Sequence, residues 1–337
     1  MLESASYMRD SSNMTADPLS DLLELVRARC GISGRLAAGG TWARRFPNLH
    51  AVKFCAAVQG ECWYFMEGMP EPARFSAGDI VVMNGTRSLI LASEPSLIAN
   101  ASTVPIPRDQ NGIHRLGHGD DFVMLGGSVA IDERRLPLLL SGLPSILFVP
   151  GSAQAAETLG WLLEQITQEV ELSDQPGRTM IVGELAQLLF VKTLRAYLTL
   201  ASPGDSGWLK GLGDKQLAPA LGCMHAEPGR SWNLEELAQE AAMSRTSFAV
   251  RFRNVMGMPP LAYLTSWRMH LAERELRTGA SVAEAAAAIG YTSESAFSHA
   301  FKRELGIAPG KCRSEKEPVD TGQEEDEWPS LRPHRFD

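Results

Sequence analysis

Apolar residues recur at two different periods along this chain, and the change of period divides it. In residues 233–257 (NLEELAQEAAMSRTSFAVRFRNVMG) and again in residues 281–306 (SVAEAAAAIGYTSESAFSHAFKRELG) the spacing is that of helices buried on one side. Each segment opens with a capping-box pair, Asn233 with Glu236 and Ser281 with Glu284, which satisfies free backbone N–H groups at a helix start. Leu234, Leu237, Ala238 and Ala241 are then mirrored by Val282, Ala285, Ala286 and Ile289 at a constant offset of 48 positions. After a short turn (residues 243–244 and 290–292) a second helix carries a buried stripe. The stripe is Phe248, Phe252 and Val255 in the first copy and Phe297, Phe301 and Leu305 in the second, the phenylalanines now offset by 49. Gly257 and Gly306 end these helices, and Pro259, Pro260 and Pro309 prevent their continuation. Two helices joined by a tight turn, written twice, predict a pair of helix-turn-helix units.

Residues 31–127 have a different texture, with short apolar runs separated by Gly, Pro and Asn. AVKFCAAVQGECWYFM predicts two strands meeting at Gln59 and Gly60, and ARFSAGDIVVMNG predicts another pair joined at residues 77–79. Strands at this spacing predict a β-sandwich or barrel, closed by ILFVPG at residues 146–151. Ahead of them, residues 19–29 predict a short amphipathic helix with Leu22, Leu23 and Val26 on its apolar face. Behind them come two helical stripes: Leu159, Leu162, Leu163, Ile166 and Val170 in residues 153–171, and Leu185, Leu188, Leu189, Val191, Leu194 and Leu198 in residues 178–200. Such a pair either packs on the barrel or presents a face for self-association. Residues 201–207 (ASPGDSG) read as a linker, and residues 208–227, apolar at Leu217, Leu221 and Met224, as the first helix of the domain that follows. The polar, Ser-rich residues 1–17 and the acidic residues 314–337 predict a disordered leader and tail. The fold class is therefore α+β and multi-domain: a β-barrel domain with flanking helices over residues 18–200, then an all-α domain over residues 208–313.

The whole chain of 337 residues has a net charge of −8, which taken alone argues against a nucleic-acid binder. Its distribution reverses that inference. Residues 210–313 carry a net +3, while residues 1–209 carry −6 and residues 314–337 carry −5. The positive excess falls where phosphate attraction needs it, but it is small, so base and backbone geometry is the main asset. The five cysteines, Cys30, Cys55, Cys62, Cys223 and Cys312, are odd in number and lack metal-type spacing. With no secretory leader and no apolar run of membrane-spanning length, a cytoplasmic location is expected and no membrane association.

Residues 213–313 resemble the DNA-binding domain of AraC/XylS-type bacterial transcription regulators. The motifs that carry this resemblance are MSRTSF, YLTSWRMHLA, GYTSESAFSHAFKRELG and the terminal Pro309 and Gly310. It implies that residues 260–279 form a long helix bridging the two units. Cys312 stands where that family usually has Tyr packed under the last helix. GECWYFMEG followed by FSAGDIVVMNG resembles the cupin-type sensor domain that precedes some AraC-like DNA-binding domains. Enzymatic cupins hold a metal through His and Glu on these strands, but Cys55 stands where relatives often have His, and Leu89 where a downstream His is expected. His50, His114 and His118 remain, the last two in a Gly-rich polar stretch without ligand-like spacing, so they read as solvated loop residues. Neither a metal nor a cofactor is expected.

Mapped onto the recognition helices, the resemblance implies a DNA-facing set of Arg245, Thr246, Ala249, Val250 and Arg253 in the first unit. In the second it implies Glu294, Ser295, Ser298, His299 and Lys302. Arg245 suits a guanine edge, Thr246 or Val250 a thymine methyl, and Glu294 the cytosine amino group. Arg268 matches a family arginine that supports the domain or grips a phosphate, and Arg251 is either a phosphate contact or part of a solvated face. The implied partners are double-stranded promoter DNA, RNA polymerase, an unidentified small-molecule effector and a second copy of the chain as a homodimer. Two further readings stand beside this. Cys55 and Cys62, diagonal across a hairpin at Gln59-Gly60, would form a redox pair. A metal-dependent cupin enzyme fused to a DNA-binding module would need a ligand trio or an acid/base constellation that the sequence does not display.

Overall fold

The computed structural model describes residues 17–47, 51–106, 108–109, 113–132, 134–140, 142–172, 175–200 and 207–314. The leader up to residue 16, residues 201–206 of the expected linker, the tail from residue 315 and His50 lie outside the described residues. The elements gather into two compact units. One comprises Val26–Gly213, and the other joins described residues 17–25 to residues 214–314.

Helix α1 (Pro18–Leu25) is shorter than the pattern predicts, because Arg27 takes φ +52° and turns the chain into the first strand. It is also grouped differently: α1 packs in the helical unit, not with the barrel. The barrel unit contains β1 (Arg29–Gly39), β2 (Ala43–Phe46), β3 (Val52–Gln59), β4 (Glu61–Met66), β5 (Ala73–Ser76), β6 (Ile80–Met83) and β7 (Leu89–Ala92). It continues with β8 (Ile113–Gly117), β9 (Phe122–Ala130), the short α2 (Leu136–Leu140) and β10 (Ile146–Val149). One sheet has the order β10-β6-β3-β9-β1-β8 and the other β2-β7-β4-β5. All neighbours are antiparallel except β1 and β8.

Strand alternation sends one set of side chains into the space between the sheets. Leu36, Ala57, Tyr64, Phe75, Phe122 and Met124 meet there in one apolar cluster that also contains Cys55 and Cys62. The sequence pattern located the turns but not the pairing. Gly60, at φ +71°, ends β3 in the six-stranded sheet and starts β4 in the four-stranded one. Gly78, at φ +90°, carries the chain back from β5 to β6 in the same way. The two corners bond to each other, Ala77 N–H donating to Gly60 O at 2.9 Å and Gly78 N–H to Ala57 O at 2.9 Å. Cys55 and Cys62 are therefore not diagonal neighbours within one hairpin; they face each other from opposed sheets. Burial pushes the Cys55 thiol up to about 12 and the Cys62 thiol up as well, so both stay protonated at neutral pH.

His114 corrects the sequence reading too. It is buried on β8, with Nδ1 3.0 Å from Ile106 O and Nε2 accepting from Arg108 Nε at 3.1 Å, whereas His118 is exposed. Helices α3 (Ala156–Glu171) and α4 (Arg178–Leu200) pack on each other and against the strands of the six-stranded sheet. The buried face of α4 is Ala186, Leu189, Phe190, Thr193 and Leu194, so Leu188 of the predicted stripe is turned out. The helix predicted over residues 208–227 is broken in two. Its first part, α5 (Trp208–Gly213), stays with the barrel unit, where Trp208 Nε1 donates to Leu139 O at 2.9 Å. A Cβ on Gly142 would stand 2.0 Å from the Trp208 ring, so only glycine admits it there.

The helical unit holds α6 (Ala218–Ala226), α7 (Leu234–Glu240), α8 (Arg245–Met256), α9 (Pro260–Arg277), α10 (Val282–Ala288), α11 (Glu294–Leu305) and α12 (Pro309–Ser314). Both predicted capping boxes are formed. The α8 stripe is Phe248, Phe252 and Met256, with Met256 in the place predicted for Val255. In α11, Phe297 and Phe301 are fully buried and Leu305 packs against the same core. Cys312 is buried in that core, in the position where Tyr was expected. The turns between paired helices differ in one respect. Gly290 has φ +83°, and a Cβ there would stand 2.0 Å from Gly229 O; its counterpart is Ala242, at φ +50°. Gly290→Ala is expected to lower the unfolding free energy by about 2 kcal/mol or more. Ala242→Gly, which relieves the left-handed alanine while loosening the unfolded chain, is expected to change it by less than about 1 kcal/mol. Urea denaturation of the two variants measures this asymmetry.

Candidate nucleic-acid interface

Each helix-turn-helix unit buries one side of its second helix and presents the other. Asn233 accepts from Glu236 N–H at 2.9 Å while Glu236 accepts from Asn233 N–H at 3.0 Å, and this fixes the start of α7. Ser281 and Glu284 repeat the exchange at 3.2 and 2.7 Å for α10. The second helices are capped by Ser244, which accepts from Ser247 N–H at 3.2 Å, and by Ser293, which accepts from Ala296 N–H at 3.4 Å. Gly257 and Gly306 close them in the left-handed conformation at φ +78° and +75°. With both ends and the aromatic face fixed, the rotation of each helix about its axis is determined, and so is the identity of its outward residues.

The candidate DNA-facing positions differ in exposure. On α8, Arg245, Thr246, Val250 and Arg253 are exposed and Ala249 is half-buried. Val250 is 56 % exposed, a large apolar side chain in solvent on the face that also carries Arg245, Thr246 and Arg253. On α11, Glu294, Ser295, His299 and Lys302 are exposed and Ser298 is half-buried. Arg303 is exposed beside Lys302; the Lys-Arg pair in the sequence was the signal for it.

Two of the arginines considered for DNA are engaged inside the protein. Arg251 forms a two-pronged contact with Asp214, Nε to Oδ2 at 3.0 Å and Nη2 to Oδ2 at 2.9 Å, while Asp214 Oδ1 accepts from Gln216 N–H at 3.0 Å. Arg251 thus ties α8 to the turn before α6. Arg268 on α9 donates to Pro228 O, and to Arg230 O at 2.6 Å. Its guanidinium holds the chain between α6 and α7.

The first unit is further joined to α1 through a buried histidine. His225 of α6 stacks on Trp267 of α9, ring centroids 4.0 Å apart. With the ring proton on Nδ1, facing Asp21 Oδ2 at 3.4 Å, Nε2 accepts from the Tyr263 hydroxyl at 2.8 Å. Nothing in the sequence marks Asp21 as a partner for a residue some 200 positions away.

These features place the protein among known ones. Residues 17–199 match the cupin family and residues 237–315 a helix-turn-helix domain. An AraC-like transcription regulator of Streptomyces lividans is 43 % identical over 299 residues, covering 88 % of this chain and 98 % of its own. A second, from Streptomyces antibioticus, is 40 % identical over 304 residues, covering 90 % of this chain and 100 % of its own. The chain belongs to the AraC-like transcription regulators. Among solved structures, the DNA-binding domain of the transcriptional factor AdpA in complex with target DNA is 34 % identical and covers 30 % of this chain and 92 % of its own, with a TM-score of 0.29. The AraC-like assignment makes this a DNA-binding transcription regulator with a cupin-like N-terminal domain. No described helix is long and apolar enough to cross a membrane, and the described residues include no cluster of three His, Cys, Asp or Glu side chains fit to hold a metal.

Burial holds the pKa of His225 below its ordinary value, the Asp21 carboxylate offsetting this only in part. His114 in the barrel unit is lowered as well, by burial first and by Arg108 and Arg44. A histidine whose folded pKa is depressed contributes stability that is full above the unfolded value of about 6.5 and is lost as pH falls through the folded value. The melting temperature of the regulator is therefore expected to drop between pH 7.5 and pH 5.5. His225→Gln, which keeps an acceptor for Tyr263, is expected to flatten that drop, leaving the share due to His114. Calorimetric scans across this range check both statements.

Proposed function

We propose that this AraC-like regulator sets transcription by laying α8 and α11 into two successive major grooves of promoter DNA, about 34 Å apart along the duplex. The observation that carries the reading is the repetition of one arrangement: an aromatic stripe buried, a serine cap at the N-terminal end, and a polar face left to solvent. Arg245 and Thr246 stand in the first turn of α8, and Glu294 and Ser295 in the first turn of α11, where a recognition helix meets base edges. Val250 and half-buried Ala249 favour thymine methyl contact and shape over hydrogen-bonded readout in that half-site. Arg253, Lys302 and Arg303 supply phosphate contacts. Arg268 acts from within the domain. A small-molecule effector bound by the barrel unit governs promoter occupancy, and RNA polymerase is the further partner. The site is intracellular and the regulator carries out no catalysis of its own.

We also propose that α4 is a self-association surface. Ile181 and Leu188, 44 % and 43 % exposed, lie seven residues apart with half-buried Leu185 between them, which puts all three on one side of the helix. An apolar stripe of this kind suits a two-fold interface in which the same helix is supplied by both copies.

Footprinting with the full chain is expected to show protection of two adjacent major grooves; protection of a single groove would contradict the reading. In gel shifts, Arg245→Ala is expected to weaken specific binding by about 1–3 kcal/mol and relax the preference at one base pair. Arg251→Ala is expected instead to lower the melting temperature with base preference intact. For the dimer, the double variant Ile181→Lys, Leu188→Lys is expected to sediment as a monomer at concentrations where the parent is dimeric, and equal sedimentation of the two would remove α4 as the interface.

A further inference from the structure

The two helix-turn-helix cores of the helical unit are tied together a second time, apart from α9, and the tie is made largely of backbone. The chain between α6 and α7 lies against the middle of α9. There Arg268, the ninth of that helix's 18 residues, donates from Nε to Pro228 O and from Nη2 to Arg230 O at 2.6 Å. Gly229 stands between these two carbonyls and meets the turn between α10 and α11. A Cβ on Gly290 would stand 2.0 Å from Gly229 O, and one on Gly229 would stand 3.1 Å from Ala288 O. The first distance excludes a side chain, and the second admits one only if the neighbouring turn gives way. Arg268 thus joins α9 to the entry segment of the first unit, and the glycine pair joins that segment to the second unit.

Both sides of this seam are braced. On the first side Trp232 Nε1 donates to Glu227 O at 3.0 Å, and the Arg230 guanidinium lies 3.8 Å over the Trp232 ring. The segment then runs directly into Asn233, the cap of α7. On the second side Gly290 N–H donates to Ala287 O at 3.0 Å and Tyr291 N–H to Ala286 O at 2.9 Å. The Tyr291 ring meets Phe297 of α11 edge to face at 5.8 Å. A path of close contacts therefore runs from the start of α7 to the buried side of α11 without following α9. A rod with a core packed at each end fixes their separation, but it leaves whatever rocking the side chains at each end allow. A backbone contact away from the rod's axis removes that freedom, because close-packed groups transmit displacement and do not absorb it.

We infer that Arg268 and the Gly229–Gly290 contact set the angle between the two recognition helices, and with it the number of base pairs the regulator requires between its two half-sites. Arg268 is a positioning residue, acting on DNA only through the segment it holds. One base pair added between half-sites moves the second by about 3.4 Å and turns it by about 35° around the duplex. A braced seam does not follow that rotation, and a loosened one does. The inference rests on the reading in which α8 and α11 occupy two successive major grooves.

The test uses the full chain and a duplex that the parent protein selects from a random-sequence pool. Two derivatives of that duplex have one base pair added to, or removed from, the middle of the protected stretch. Gel shifts give the spacing penalty, the factor by which each derivative binds more weakly. The parent is expected to show a penalty of about 30-fold or more. Arg268→Gln, too short and without the guanidinium fork, is expected to bind the selected duplex about tenfold more weakly and to show a penalty below about fivefold. Its preference for bases inside each half-site is expected to match the parent's. Lost stability alone would weaken all three duplexes by one factor; a penalty left at the parent's value would overturn the seam and keep the two-groove reading. Gly229→Ala, which retains Arg268 and drives a methyl wedge into the contact, is expected to change the ratio of binding between the two derivatives at least about threefold. It decides alone if Arg268→Gln loses its cooperative melt, and a ratio equal to the parent's would then overturn the seam. A parent that shows no spacing penalty, or that protects a single groove, would overturn the seam and the two-groove reading together.

Discussion

The helical unit depends on one shared support: both helix-turn-helix cores are built against the same helix, α9. Phe248 and Phe252 are buried in the first unit, where Phe252 meets Tyr263 of α9 edge to face at 5.9 Å. Phe297 and Phe301 are buried in the second, in a cluster with Met269, Ala272 and Leu276. Full burial of each phenylalanine contributes about 1.5–3 kcal/mol, so each recognition helix is held by two such side chains before any polar contact is counted. Because α9 is a single uninterrupted helix of 18 residues, rotating one recognition helix without disturbing the other would require breaking the rod. Its second half also contains a buried ion pair, Arg277 Nε and Nη2 to Glu273 Oε1 at 3.0 and 2.9 Å, four residues apart. Such a pair adds little net stability over apolar residues, but losing one partner is costly, about 3–5 kcal/mol. It fixes the side of α9 that faces inward.

The barrel unit solves a different problem. Its core is made by two sheets whose connecting corners exchange backbone hydrogen bonds, so that the turns at Gly60 and Gly78 close one end of the sandwich. Asp79 reinforces that end, its carboxylate accepting from Ser76 N–H and from Gly151 N–H, both at 2.7 Å. Between the corners the interior is filled by aromatic rings, Trp42 on Phe122 and Tyr64 on Phe148, each pair 5.9 Å apart. The apolar alternation of β3 is interrupted by half-buried Lys53, a residue whose long stem can line an apolar wall while its ammonium stays near water.

Much of the helical unit was legible in the sequence because capping residues, turn glycines and aromatic stripes all act within a few positions of one another. The error at Val255 was avoidable. The phenylalanines repeat at an offset of 49, and Leu305 less 49 is Met256, the residue that is buried. The strands were legible as strands, but alternation specifies which side of a strand is apolar and not which sheet it joins, so the hairpins inferred at Gln59-Gly60 and at residues 77–79 became corners between sheets. His114 was misread for a related cause: its Gly-rich surroundings suggested a loop, and its burial comes from the parallel pairing of β8 with β1, which nothing local encodes. The division of the chain was the least legible feature. A short apolar helix such as α1 will dock on whichever surface complements it, and the residues that decide it, His225, Tyr263 and Trp267, lie far along the chain. The chain consequently passes between its two units twice, after Leu25 and after Gly213.

The same long-range contacts change what the charge of the helical unit means. A net +3 over residues 210–313 suggests cations to spare, yet Arg251 is matched by Asp214, Arg277 by Glu273, and Arg268 is spent on two backbone carbonyls. The cations that remain on the outward sides of α8 and α11 are Arg245, Arg253, Lys302 and Arg303, two per helix. On the proposed reading, nonspecific affinity grows with the number of phosphates neutralised, so these four cations by themselves give a modest sequence-independent hold. Discrimination then rests on how well the two faces fit the groove, and that fit tolerates little error in the angle or spacing of the helices. The rigidity of α9 and the economy of surface charge are two sides of one arrangement: the less a domain relies on diffuse attraction to phosphate, the more it relies on holding its reading residues in fixed places.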